Sequence, residues 1–435
     1  MRFNIELDVD ESMVTDCDNE FEAASPGSTA CLATLDGDSL ARNATSDPDT
    51  FRYAASSGTR GAGFGRPLRV LFLQTDMRIG GAEMVTANII RRLDRERFAP
   101  ELCCLKERGE LGEALAGEIP VHHDLLRTKY DFRVLPRLIA LLRSRKIDAV
   151  VTVGAGDKMF WGRIAARRLG LPVVISALHS TGWPDGVGRL NRMLTPITDA
   201  FIAVAASHGQ YLSEHEGFPA ERIAVIPNGV DTVKFAPVRE VAAVRRELGI
   251  DEDAPVVGIV AALRPEKNHE LFLEMARRVV RQLPAARFLI VGDGLRRAPL
   301  EQRTAEIGLE SHALFVGSRN DVPRLLAAMD VFALTSHMEA NPISILEAMS
   351  VGRPVVATDV GSIHDAVIEN ETGHLVPAGD AAQLTERVLS LLIDQPLRLS
   401  IGAAARLSVV EHWSIESMVS GYEQLIESIY ARKTR

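Results

Sequence analysis

Leu68-Arg69-Val70-Leu71-Phe72-Leu73-Gln74-Thr75, then Arg78-Ile79-Gly80-Gly81, then a helical pattern from Ala82 to about Leu93, is the stretch that decides the fold class. The run at 68–75 is almost wholly apolar, with a β-branched and an aromatic residue, as in a strand buried inside a parallel sheet. The paired glycines let the backbone come close to a ligand, and the helix start behind them offers unpaired N–H groups to an anion. The spacing G-x-G-x-x-G is not met, which argues against a dehydrogenase.

The same alternation runs outward from this unit. Strand-like runs lie at 103–105, 147–153, 172–178, 200–205 and 222–227, with helical stretches between them. A second series follows Asp231, with runs at 255–263, 286–292, 313–317, 331–335 and 354–358. Repeated β–α alternation implies parallel sheets with right-handed crossovers. Two series of similar length imply two doubly wound α/β domains, at 66–230 and 231–413, joined at the turn-rich Pro227-Asn228-Gly229-Val230-Asp231. A last helix is expected over 414–435.

Residues 1–65 differ from the rest. They hold 12 Asp/Glu against 4 Lys/Arg, with little periodic apolar content, and are expected to be a disordered acidic leader. The other residues carry 46 acids and 45 bases, so nucleic-acid binding is not expected. Cys17, Cys31, Cys103 and Cys104 have neither zinc-site spacing nor a disulfide pattern. The N-terminus lacks an apolar signal-peptide core, and no apolar run reaches the roughly 18 residues of a membrane span. A cytoplasmic protein is the expectation.

Two stretches carry candidate chemistry in the second series. Arg264-Pro265-Glu266-Lys267-Asn268-His269 follows a strand and places cations at its carboxyl end, where open α/β sheets bind ligands. Glu339-Ala340-Asn341-Pro342-Ile343-Ser344-Ile345-Leu346-Glu347 also follows a strand. Pro342 suits the first helical position and Asn341 can cap the helix, leaving the N–H groups near Ile343 and Ser344 free for a phosphate. Glu347 lies about 1.4 turns further along, positioned to face the same ligand.

Together these stretches resemble glycosyltransferase family 4, whose fold, GT-B, sets two Rossmann-like domains face to face across a cleft. Glu339 and Glu347 match its E-x7-E motif. Residues 346–367 and 372–380 follow the family's most distinctive segment, 226–231 its domain junction, and Gly80-Gly81-Ala82-Glu83 its N-terminal glycine loop. The resemblance spans about 66–430. It implies a retaining glycosyltransferase, with a UDP- or GDP-sugar donor on the C-terminal domain and a glycan or lipid-linked acceptor on the N-terminal domain, acting in cell-surface polysaccharide or glycoconjugate synthesis. It implies that Glu347 holds the donor ribose, Glu339 the hydroxyls of the transferred sugar, and Lys267 the diphosphate. Gly81 would let the N-terminal loop reach the donor, and His179 would stand near the reacting sugar.

One departure bears on the mechanism. The family usually reads G-R-L-x-P-E-K where this chain has Ala261-Ala262-Leu263-Arg264-Pro265-Glu266-Lys267, so Ala262 replaces the usual phosphate-binding arginine. Arg264 is the candidate substitute if it shares a face with Ala262. No cofactor is expected. The Asp-x-Asp pairs lie in the leader or in the loop at 251–253, so no catalytic metal is expected either. The competing readings are a sugar-nucleotide epimerase, a phosphorylase needing a pyridoxal lysine, and a catalytically weak donor-binding subunit; the E-x7-E pair with Lys267 favours transfer over each.

The stretch 127–146 holds seven Lys/Arg and one Asp, with Leu135, Leu138, Ile139 and Leu142 at helical spacing. Residues 66–235 carry +5 (24 bases, 19 acids), while 236–435 carry −6 (21 bases, 27 acids). A helix covering the sheet accounts for this pattern. A basic surface resting on the anionic inner face of a membrane is the alternative.

Overall fold

The computed structural model describes residues 65–435, apart from 129–130, 155–158, 180–188 and 190. The expected acidic leader, with Cys17 and Cys31, lies outside the described residues up to Gly65. Two wholly parallel sheets follow in chain order. The first is built from β1 (Leu68–Gln74), β2 (Phe98–Cys104), β3 (Val121–His122), β4 (Ala149–Val153), β5 (Val173–Ala177), β6 (Ala200–Ala203) and β7 (Ile223–Val225), in the order β3-β2-β1-β4-β5-β6-β7. The second is built from β8 (Val256–Val260), β9 (Arg287–Val291), β10 (Ala313–Gly317), β11 (Val331–Leu334), β12 (Val355–Thr358) and β13 (Gly373–Val376), in the order β10-β9-β8-β11-β12-β13.

Each sheet reverses winding beside its first strand. β1 pairs with both β2 and β4, and β8 pairs with both β9 and β11. Loops leaving the two strands at such a point run to opposite faces, which opens a crevice at the carboxyl ends. In the second sheet that crevice lies between the segment after β8 and the segment after β11, the two stretches singled out by sequence.

Strand interiors are apolar on both faces because helices cover both. Leu71, Leu73, Val150 and Val174 face one cluster, while Val70, Phe72, Val151 and Ile175 face another. The second sheet has its own core around Val257, Ile259, Phe288, Ile290, Phe332 and Val356.

The terminal helix Ile415–Thr434 follows the second sheet in sequence but packs on the first. Met418, Tyr422, Leu425, Ile426 and Ile429 join the cluster of Phe72, Val85 and Ile89. Arg97 fixes it from outside, 2.9 Å from Glu423 and 2.5 Å from Glu427. The chain therefore crosses between layers twice, and the crossings run side by side. Val230 N–H donates to the Trp413 carbonyl at 2.9 Å, and Ile415 N–H donates to the Val230 carbonyl at 3.1 Å. Gly229 is required there, because a Cβ would lie 2.4 Å from the Ser414 carbonyl oxygen.

Candidate active site

β8 ends at Val260, and the chain then keeps an alternating pattern before a single 3-10 turn, Pro265–Lys267. Leu263 is buried while Ala262 and Arg264 are exposed, and the Arg264 N–H donates to the Ala262 carbonyl at 2.8 Å, so the chain turns tightly at Leu263. The turn delivers Lys267 to the crevice. β11 ends in Leu334, and the next residues, Thr335 and Ser336, are fully buried hydroxyls. Thr335 Oγ1 donates to the carbonyls of Lys267 (3.2 Å) and Asn268 (2.9 Å), which ties the two crevice walls together. Thr358, at the end of β12, donates to the Ser336 carbonyl at 2.7 Å.

This frame holds Glu339. Its Oε1 accepts from Lys267 Nζ at 2.5 Å and from Ser336 Oγ at 2.7 Å, and its side chain is only 8% exposed. Gly361, at φ +59°, closes against it from behind. A Cβ there would stand 1.5 Å from the Glu339 carbonyl oxygen. Lys267 and Glu339, which the family resemblance assigns to different parts of a donor, are thus one ion pair.

The following helix spans Ile343–Ser350. The expected cap does not form. Pro342, not Asn341, is the capping residue, and no side chain caps the helix. Asn341 sits one residue too early; its carbonyl accepts from Asn228 Nδ2 at 3.0 Å, and both polar atoms of its buried side chain lack a partner. A buried unpaired amide costs about 1–3 kcal/mol, so one that persists calls for a ligand or water to satisfy it. The helix start at Ile343 and Ser344 keeps backbone N–H groups without intrahelical acceptors.

Glu347 lies one turn deeper. It is partly exposed, and desolvation pushes its carboxyl up to about 8, with Lys234 of the crossing segment the opposing charge. At neutral pH this environment therefore holds it largely protonated. The glycine loop faces this helix from the first domain: a Cβ built on Gly81 would lie 4.0 Å from the Ile343 side chain. Glu83, in the first turn behind the loop, has its carboxyl raised by desolvation and partly offset by Arg264. Arg264 is two-thirds exposed and holds Glu266 only loosely, at 3.9 Å. Its charge reaches Glu83 in the facing domain, so it stands on the cleft side.

His179 follows β5. Burial and the neighbouring His208 depress its imidazole to about 4, and its Nε2 has no partner. It is a neutral imidazole able to meet a hydroxyl. His208 and Glu339 line a common cavity. Cys103 and Cys104 are both buried, their thiols raised by desolvation, and lie away from this chemistry.

The structure brings Lys267 and Glu339 into contact and sets Gly81 against the helix start at Ile343. Sequence reasoning did not pick out Thr335, Ser336, Thr358, Asn228 or His208. The signal for the hydroxyls was present, since each breaks an apolar run at a strand's carboxyl end. Among the described residues no group of three or more His, Cys, Asp or Glu could hold a metal ion.

Family models match both halves of this cleft: "Glycosyltransferase Family 4" over residues 79–234 and "Glycosyl transferases group 1" over 240–408. The chain belongs to glycosyltransferase family 4. A D-inositol 3-phosphate glycosyltransferase of Nocardia farcinica is 31% identical over 359 residues, covering 80% of this chain and 74% of the relative. The UDP-Gal:alpha-D-GlcNAc-diphosphoundecaprenol alpha-1,3-galactosyltransferase of Escherichia coli is 27% identical over 384 residues, covering 84% of this chain and 98% of that one. Among solved structures, Anabaena HepE in complex with UDP-glucose superposes with a TM-score of 0.74 at 22% identity, over 83% of this chain and all of that one. WaaG, a glycosyltransferase involved in lipopolysaccharide biosynthesis, gives 0.68 at 17% identity, over 82% of this chain and 99% of that one. The fold is GT-B, and this family 4 member is a glycosyltransferase.

Proposed function

We propose that the cleft binds a UDP- or GDP-sugar and transfers the sugar, with retention, to a glycan or lipid-linked acceptor used in cell-surface glycan synthesis. The observation that carries this is the Lys267–Glu339 pair at the switch point of the second sheet, beside a helix start that the Gly81 loop faces. The donor diphosphate fits between the Gly81 loop and the N–H groups of Ile343 and Ser344, with Lys267 and Arg264 supplying charge. The ribose hydroxyls donate to Glu347. The sugar hydroxyls meet Glu339, His179 and the unpaired amide of Asn341.

In the reaction the bond from the anomeric carbon to the diphosphate oxygen breaks with its electron pair on that oxygen. The acceptor hydroxyl oxygen bonds to the same face of the carbon, and its proton passes to the departing phosphate. Cations and helix N–H groups aimed at the leaving oxygens stabilise the charge that develops there. Lys267 is freed for this task when a sugar hydroxyl takes its place on Glu339. A nucleotide-sugar panel read by thermal shift tests the reading: a UDP- or GDP-sugar should stabilise the protein, and Lys267→Ala should remove the effect. No stabilisation by any nucleotide-sugar would count against it.

Contact with a membrane is the second part of the proposal. Helix Val134–Ser144 buries Val134, Leu138 and Leu142 in the first domain's core, so its apolar face is already covered. What remains is Phe132, 72% exposed just before the helix, flanked by exposed Arg127 and Arg133. An exposed aromatic among arginines suits an anionic bilayer surface. Among the described residues no single helix is long and apolar enough to cross a membrane. The E. coli relative's printed acceptor, a diphosphoundecaprenol, agrees with an acceptor presented at a membrane. Vesicle flotation should show binding to anionic lipid that salt weakens and Phe132→Ser reduces; flotation unaffected by both would count against it.

A further inference from the structure

Between helix Ala206–Glu214 of the first domain and the loops at 337–339 and 361–362 of the second lies a cavity of about 430 Å³. We infer that this cavity seats the terminal sugar of the acceptor, and that this sugar is uncharged. The inference rests on the glycosyltransferase reading and adds where the acceptor sits and what chemistry it has.

The cavity shares Glu339 with the donor side of the cleft. Lys267 holds one carboxylate oxygen of Glu339. A group in the cavity is therefore next to the sugar being transferred. The two walls are held together by Asp365, whose Oδ2 accepts from the Ser207 N–H at 3.1 Å and from its hydroxyl at 3.0 Å. The space is thus built jointly by both domains.

Its lining matches a sugar ring. Tyr211 and His215, one turn apart, stack with ring centroids 4.9 Å apart and planes 14° apart. Gln210 and Glu214, on adjoining positions of the helix, are joined by an amide-to-carboxylate hydrogen bond of 2.9 Å. The C–H groups on one face of a pyranose are slightly positive and suit the negative face of an aromatic ring. Its hydroxyls each need a donor or an acceptor, which an amide and a carboxylate supply. Met338, half exposed, adds an adaptable apolar wall.

The charge of the lining excludes other occupants. Among the described residues no Lys or Arg lines the cavity, whereas Glu214 and Glu339 do. A phosphate there would meet the Glu214 carboxylate and a Glu339 already paired with Lys267, with no fixed cation among the described lining residues to hold it, which opposes it. The donor diphosphate belongs on the other side of Glu339, with Lys267 and the helix start.

The test uses the full chain with UDP or GDP present and methyl α-glycosides of glucose, galactose, mannose and N-acetylglucosamine, each beside its 6-phosphate. Saturation-transfer NMR reports ring protons in contact with the protein, and calorimetry reports nucleotide-sugar affinity. At least one neutral glycoside should receive saturation, and its 6-phosphate should bind more weakly. Tyr211→Ala should weaken the glycoside by about fivefold, the worth of one aromatic contact, and Tyr211→Phe should keep it. Nucleotide-sugar affinity should stay within about twofold in both variants. The inference is overturned if no neutral glycoside binds, if the 6-phosphates bind more tightly, or if Tyr211→Ala leaves glycoside binding unchanged. It also fails if Tyr211→Ala weakens the nucleotide-sugar instead, which would give the cavity to the donor. Should the wild-type chain bind no nucleotide-sugar at all, the glycosyltransferase reading itself fails.

Discussion

Glu347 makes donor binding a proton-releasing event. Its carboxyl is pushed up to about 8, because burial penalises the charge and Lys234 offsets only part of that penalty. Ribose hydroxyls are donors, so a bound nucleotide favours the ionised form and returns the carboxyl toward its ordinary 4.5. At pH 7 a group titrating at about 8 is about nine-tenths protonated, so about 0.9 proton leaves per nucleotide-sugar bound. Affinity must rise with pH by the same linkage, about ninefold from pH 6 to 7, levelling off above pH 8. UDP-glucose and GDP-mannose suit the measurement, because their diphosphodiesters do not titrate in this range. Calorimetry in buffers of low and high ionisation enthalpy reads the proton count directly, and Glu347→Gln should abolish both the release and the pH slope. The free protein gives an independent sign check. A carboxyl whose folded value is raised costs stability as pH climbs from the unfolded value toward the folded one. The wild type should therefore lose thermal stability relative to Glu347→Gln between pH 5 and pH 8. If binding enthalpy is buffer-independent in the wild type, or if Glu347→Gln releases as many protons, Glu347 does not hold the donor as argued.

Arg264 and Lys267 make a paired test of the charge missing at Ala262. Arg264→Ala should weaken donor affinity by about tenfold, and Lys267→Ala should do so more strongly and also lower kcat. Unchanged affinity and turnover in Arg264→Ala, with Lys267→Ala crippled, would exclude Arg264 from the diphosphate site. Gly361→Ala forces a methyl against the Glu339 carbonyl, so turnover should fall even where circular dichroism shows a folded protein; wild-type turnover would show that the loop yields. His179, held neutral by burial, should leave no inflection between pH 5.5 and 8 in kcat/KM, so any limb in that range should disappear in Glu347→Gln and persist in His179→Gln.

The fold was legible because its signals are local and repeated. Most strands are apolar runs between turn residues, and the run at 313–317 coincides with its strand; β2 is the exception, since Pro100 and Glu101 interrupt Phe98–Cys104 and leave only its end visible in the run at 103–105. Two strands did not register: Val121–His122 is only two residues long, and Gly373–Val376 begins with glycine and carries His374. The docking of the last helix on the first sheet was not readable, since it depends on which layer offers an uncovered face. At the site, residues in motifs were readable and their pairings were not. Lys267 and Glu339 are 72 positions apart and meet only because β8 and β11 are neighbours. The cap at Asn341 failed because the helix begins one residue later, with Pro342 in the capping position. The strand does not run on past Ala262: β8 ends at Val260, and the Arg264 N–H donates to the Ala262 carbonyl at 2.8 Å, a tight turn at Leu263 that the sequence does not announce. The lowered imidazole of His179 comes first from burial and then from His208 on a different element, and neither can be read from the local sequence.

Turnover tests the central claim most directly. Purified protein is incubated with UDP- and GDP-sugars, alone and with lipid-linked or glycoside acceptors, and released nucleoside diphosphate and product are followed by mass spectrometry and NMR. The account predicts release from one donor class, a product with the donor's anomeric configuration, and a loss of about ten- to a hundredfold in Glu339→Gln, the worth of one charge-assisted hydrogen bond. Wild-type rates in Glu339→Gln, or an inverted product, would contradict it.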